Sequence, residues 1–237
     1  MFSRMFYAAC LAGLVCGLLL TAMQAVSVVP IILEAETYEV AAPVDAKKTD
    51  GHRHDHGEAW APGDGLERTA WTSVSNIATA IGFSLIVVAV LVWRGRTGVK
   101  EGLLWGGVGF VVFFASPSLG LAPEIPGTFS ADLLDRQVWW IGAAVSAAGG
   151  LGALIIAPQP LYKAIGALLV FAPHIIGAPH PDVMGGNAPQ VLAEQFIVAS
   201  AITNAVFWAA LGISSAYAYV WVSRGGQRRA ASPFSGS

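Results

Sequence analysis

Polar and apolar positions are segregated along this chain rather than interleaved. Long apolar stretches occupy residues 5–33, 69–93, 102–122, 138–157, 161–178 and 196–222, and nearly all charges fall between them. A helix needs about 20 mostly apolar residues to cross the hydrocarbon core of a bilayer, so these stretches predict an all-α, polytopic transmembrane helical bundle of six spans. The fifth is short and carries Pro173; if it does not cross, the count is five. The first follows Arg4 as a signal peptide would, but it is too long for such a segment, and Met23-Gln24-Ala25 is no cleavage site, so it reads as an uncleaved anchor. Pro30 is expected inside this extended first helix. One transmembrane domain, 1–223, is predicted, with a polar outer loop at 34–68 and a basic, disordered cytoplasmic tail at 224–237.

Basic residues set the orientation. With the N-terminus inside, the inner connections hold Arg4, Arg94, Arg96, Lys100, Lys163, Arg224, Arg228 and Arg229, and the outer ones Lys47, Lys48, Arg53, Arg68 and Arg136. All acids except Glu101 then lie outside, and both termini face the cytoplasm. Trp60, Trp71, Trp93, Trp105, Trp139, Trp140 and Trp221 stand near the ends of the runs, as interfacial belts require. Gly13/Gly17, Gly102/Gly106 and Ala143/Ala147 repeat small residues four apart, a spacing that lets helices approach closely in lipid. The two halves show no internal repeat of the kind inverted-repeat transporters carry.

Composition agrees. Of 237 residues, 55% are hydrophobic and only 12% charged, with mean hydropathy +0.61; a soluble domain carries about a quarter charged. An ordinary cytosolic enzyme is excluded on that ground, and a nucleic-acid binder by the net charge of -2 without a basic patch. Cys10 and Cys16 lie six apart on different helix faces and make neither a CxxC site nor a disulfide framework. No phosphate-binding GxxxxGK[ST] loop, HExxH or GxSxG motif occurs, and the spans hold no deep Asp or Glu. The chain reads as a non-enzyme.

Candidate chemistry gathers outside. The loop opens with Glu34, Glu36 and Glu39 and reaches His52-Arg53-His54-Asp55-His56. Alternate histidines share one side of an extended chain, whereas on a helix they would splay by roughly 200°; an extended or flexible loop is expected. Imidazoles with flanking carboxylates suit Co2+, Ni2+, Cu2+ and Zn2+ alike, and short His-rich tracts mark metal binding. The candidate ligands are His52, His54, Asp55, His56, Glu34 and Glu36, joined by His174 and His180. His174 lies eleven residues past Lys163, roughly 16 Å along a helix, where an ionisable side chain is costly and a functional candidate. The bland reading is a neutral imidazole hydrogen-bonded to a neighbouring helix. His180 and Asp182 belong at the outer interface. Glu124, at the same level as Glu34 and Glu36, completes a carboxylate ring around a cation entrance, unless each is an ordinary interfacial acid. Interhelical hydrogen bonds account for Gln24, Asn76 and Asn204.

The run Val28-Val29-Pro30-Ile31-Ile32-Leu33-Glu34-Ala35-Glu36, the His/Asp loop, Trp60-Ala61-Pro62, Pro123-Glu124-Ile125-Pro126-Gly127, Arg136-Gln137-Val138-Trp139-Trp140, Pro173-His174-Ile175-Ile176-Gly177-Ala178-Pro179-His180-Pro181 and Thr203-Asn204-Ala205-Val206-Phe207-Trp208 together resemble the CbtA family of predicted bacterial cobalt transporter subunits. The resemblance covers nearly the whole chain before Arg224. It implies an inner-membrane cobalt uptake component linked to cobalamin synthesis. It also implies a CbtB partner, a small single-span subunit with its own histidines, and five spans where the hydropathy pattern gives six. No permanently bound cofactor is expected; Co2+ is the cargo, with Ni2+ and Zn2+ compatible with the same ligands. The alternative is a non-transporting membrane subunit that captures or senses metal for a partner.

Overall fold

The computed structural model describes residues 1–41, 62–63 and 65–230. Among them the chain is helical apart from its connections and one isolated antiparallel bridge, Thr128 with Gly186. Five helices among the described residues are long and apolar enough to cross a membrane: Phe2–Ser27, Leu66–Trp93, Val99–Gly120, Leu133–Ile156 and Gln190–Arg224. The fifth apolar run of the sequence becomes a helix of 17 residues, Pro160–Ile176, about 25 Å long at 1.5 Å per residue.

The first run is not one helix. Helix α1 (Phe2–Ser27) stops at Val28, and α2 (Val29–Ala41) starts beyond it. Pro30 explains the break: it has no N–H to donate to the Val26 carbonyl, and its ring crowds the preceding turn. In the first turn of α2 the same residue is tolerated because that N–H would have no helical acceptor. The expectation of Pro30 within an unbroken helix is corrected accordingly. After α3 (Leu66–Trp93) a tight turn at Gly95, φ +65°, leads to α4 (Val99–Phe110). A π-helical turn, Val111–Ala115, and α5 (Ser116–Gly120) complete that span. Pro117 withholds the N–H that Phe113 would accept in an α-helix, which favours the wider winding. Then follow α6 (Leu133–Ile156), α7 (Pro160–Ile176) and α8 (Gln190–Ala230). Helix α8 thus continues past Arg224; residues 231–237 lie outside the described part.

The chain divides into two compact units. The first comprises Met1–Ala22, Thr72–Ala115 and Thr203–Ser237. Apolar side chains gain little by leaving lipid for one another, so helices here are held by close packing and hydrogen bonds. Gly13 and Gly17 of α1 lie against Ile81 and Ile77 of α3, where an added Cβ would come within 2.5 Å of a side-chain or backbone atom. Gly102 and Gly106 of α4 meet the backbone of Gly212 and Trp208 on α8. Trp208 is 3% exposed, stacks on Phe113 at 5.6 Å and lies 4.7 Å from Phe83. The Ser84 and Ser215 hydroxyls hydrogen-bond at 2.7 Å in the fully buried core, and Asn76 donates to Thr21 at 3.0 Å, as expected of an interhelical amide. Ala8 and Ala12 pack with Ala218, Tyr219 and Val222, so the start of α1 lies beside the end of α8.

The second unit comprises Met23–Trp71 and Ser116–Ile202. Here α6 and α7 form an antiparallel hairpin, with Gly150 and Gly166 packed backbone to backbone. Beyond it Ala35, Ile125 and Leu192 form a small buried cluster that joins α2, the connection before α6 and the start of α8. The Thr128–Gly186 bridge, with Phe129 N–H donating to Gly185 and Asn187 N–H to Gly127, ties the two connections together. Gly127 has φ +76° there, a conformation that L side chains rarely adopt.

The Asp132 carboxylate caps α6 by accepting from the Leu134 N–H at 2.9 Å. Asp132→Ala is expected to cost about 1 kcal/mol, and Asp132→Asn only a fraction of that; thermal unfolding of the detergent-solubilised protein checks both.

Trp71, Trp93, Trp140 and Trp221 are exposed, as belt residues should be. Trp105 and Trp139 instead turn inward, the first onto the core of its unit and the second onto Gly120. Position near a run end therefore does not by itself make a tryptophan an interfacial anchor.

Candidate functional site

His174 stands in the last turn of α7, directly after Pro173. Pro173 has no N–H for the Leu169 carbonyl, so the helix is short of one internal bond there. Gly177, φ +89°, ends α7 immediately beyond, and its N–H donates to the Pro173 carbonyl at 3.0 Å. The imidazole is half-buried, with Nε2 at 3.2 Å from the Ser116 hydroxyl of α5 and its ring edge-on to Trp139 of α6 at 6.0 Å. When Nε2 carries the proton and donates to Ser116, Nδ1 presents a lone pair for a metal ion; in the other tautomer Ser116 donates and Nδ1 carries the proton. A hydrogen bond to a neighbouring helix is thus present, and in the first tautomer it leaves the Nδ1 lone pair unused by Ser116.

Two buried N–H groups nearby in the unit, Trp139 Nε1 and Arg136 Nε, have no hydrogen-bond partner among the described residues. Arg136 is engaged through Nη2, which donates to Glu124 at 2.6 Å, and the same carboxylate oxygen accepts from the Ser130 hydroxyl at 2.7 Å. Glu36 is paired in the same way, with Arg68 Nη2 at 2.7 Å and Nη1 at 3.3 Å in a forked contact. Both pairs keep about a third of their side-chain surface in contact with solvent, where such pairs contribute roughly 0–1 kcal/mol to stability.

This arrangement sorts the sequence candidates. Glu36 and Glu124 belong to ion pairs and are not bare members of a carboxylate ring, whereas Glu34 is exposed on α2. His180 and Asp182 are exposed in the connection after α7. His52, His54, Asp55 and His56 lie outside the described residues. Among those described, no group of three or more His, Cys, Asp or Glu side chains gathers closely enough to hold a metal ion.

Reading the sequence alone overlooks Ser116, Trp139, Arg68 and Arg136 as partners. Opposite charges at one level were a usable signal for the two arginines. No comparable signal marks Ser116, because a hydroxyl in an apolar helix can satisfy itself on its own backbone.

A family model described as "Probable cobalt transporter subunit (CbtA)" matches residues 2–220. No curated protein and no solved structure matches the chain.

Proposed function

The chain belongs to the CbtA family of probable cobalt transporter subunits, and we propose that it is the permease subunit of a divalent-cation uptake system whose first cargo is Co2+. In this reading it lies in a bacterial inner membrane, serves cobalamin synthesis and acts with a small single-span CbtB-type partner. The observation that carries the proposal is His174: a half-buried imidazole at a proline-weakened helix end, with Ser116 on one ring nitrogen. Such a ligand binds a transition-metal ion without enclosing it, and transport requires binding weak enough to release.

Six crossings, with both termini cytoplasmic, fit this role. The antiparallel α6/α7 hairpin returns the chain to the end where α6 begins, and the first turns of α1 pack beside the last turns of α8. Charge supports the sidedness: with the N-terminus inside, the inner connections hold eight basic residues and only one acid, Glu101, and the outer ones five basic residues against fourteen acids, including those of the His-rich loop. An acidic outer face concentrates cations before they reach His174. A divalent ion entering a compartment 100 mV negative gains about 4.6 kcal/mol, enough to drive uptake without ATP.

The pairing of Glu36 and Glu124 with arginines favours a second reading, a subunit that only captures metal for its partner. Proteoliposomes separate the two. With the purified chain reconstituted alone or with its partner, a negative-inside potential is expected to drive cobalt accumulation in at least one preparation. Cobalt binding without accumulation in both removes the permease reading.

A further inference from the structure

The unit containing the termini carries a groove of about 470 Å³ between α1 and α8, lined by Leu11, Ala12 and Val15 on one side and Ile213, Tyr217 and Trp221 among others on the second. Exposed apolar side chains are ordinary on a lipid-facing surface. A concave apolar furrow whose two helices each carry an arginine one or two turns further along the lining stripe is not. Arg4 precedes Leu11 by seven residues, and Arg224 follows Trp221 by three and Tyr217 by seven, so each arginine continues the stripe of its helix that lines the groove. Both arginines are exposed. The packing of Ala8 and Ala12 with Ala218, Tyr219 and Val222 brings the arginine-bearing ends of the two helices side by side.

We propose that this groove is a binding site for an anionic phospholipid, one acyl chain lying along Leu11, Val15 and Tyr217 and the headgroup phosphate held between Arg4 and Arg224. Trp221, 62% exposed and one turn from Arg224, sits at the level of the glycerol backbone, where amphipathic rings are favoured. The charge of the unit selects the headgroup: against its seven basic residues it offers a single acid, and basic residues at a membrane surface each favour anionic lipid. A second copy of this chain is a poorer occupant, because it would bring another Arg4 and Arg224 to the same place.

Quenching of Trp221 fluorescence by brominated phospholipid tests this on the full-length protein in vesicles, the Trp221 component being the difference from Trp221→Phe. Brominated phosphatidylglycerol is expected to quench it with roughly tenfold or greater relative affinity over brominated phosphatidylcholine. Arg4→Gln with Arg224→Gln is expected to abolish the preference while leaving phosphatidylcholine quenching and the thermal transition in place. Arg4→Lys with Arg224→Lys should keep most of it. Equal quenching by both lipids in the unaltered protein identifies ordinary boundary lipid and overturns the proposal. Absence of quenching by either means that protein covers the groove, and a preference that survives the glutamine pair puts the anionic site elsewhere; each outcome sinks the idea. The readout is independent of metal transport.

Discussion

Cobalt accumulation by cells whose only copy of this protein carries His174→Ala is expected to fall at least tenfold at low external metal. The estimate follows from the cost of disturbing even the hydrogen-bonded partners of metal ligands, typically 10- to 100-fold in affinity or activity. If His174 is a ligand on the ion path, as proposed, the effect should appear as a raised half-saturation concentration, because the substitution removes a metal-binding nitrogen. Ser116→Ala is expected to act in the same direction more weakly, since it frees Nε2 without removing the imidazole. Replacing His52, His54 and His56 together should also raise the half-saturation concentration if, as proposed, the acidic His-rich loop concentrates the ion. A purely structural histidine predicts another pattern: less protein in the membrane, with unaltered half-saturation for the protein that remains. Measuring accumulation across cobalt concentrations, normalised to membrane abundance, distinguishes them.

Gly212→Val is expected to be the most damaging single substitution to stability. Gly212 faces the carbonyl of Gly102 and the Cα of Gly106, and Gly102 and Gly106 face the backbone of Gly212 and Trp208 in return. Any side chain at the crossing meets backbone, which cannot rotate away as a flexible side chain does. Overpacking a core costs typically 1–3 kcal/mol, and a backbone obstacle puts this site at the upper end, about 3 kcal/mol. Forcing α4 and α8 apart would also open the Phe83–Phe113–Trp208 cluster, whose rings touch across the same region. Gly142→Val and Gly149→Val are suitable controls, since a Cβ at either position meets nothing within 4 Å. Thermal unfolding in detergent should show a large drop for Gly212→Val and little change for the controls. Equal stability of all three would mean that the α4–α8 contact is not held by its glycines.

The small-residue spacings show how much the sequence conveys about packing. Gly13/Gly17 and Gly102/Gly106 were legible as contact positions because only missing side chains let helix axes approach, and both pairs do meet neighbouring backbone. The partner was not legible: nothing in the spacing says that Gly102 faces Gly212, 110 positions away. The candidate site divides along the same line. The sequence isolated His174 as an ionisable group in an apolar run and placed Glu36 and Glu124 at one level. It did not show Ser116 or Trp139 beside the imidazole, nor that both acids are matched with arginines.

Residence in a membrane, the all-helical architecture and the confinement of nearly all charges to the connections between apolar runs were determined by the sequence itself. Hydropathy and charge are sums over consecutive residues and need no knowledge of neighbours in space. Tertiary structure alone decided which polar groups meet, that Glu36 and Glu124 are paired with arginines, and that Ala8 and Ala12 of α1 pack against Ala218, Tyr219 and Val222 of α8. Runs that are apolar on every face carry almost no directional pattern, so the rotation of each helix, and with it every contact, is set only when the helices pack.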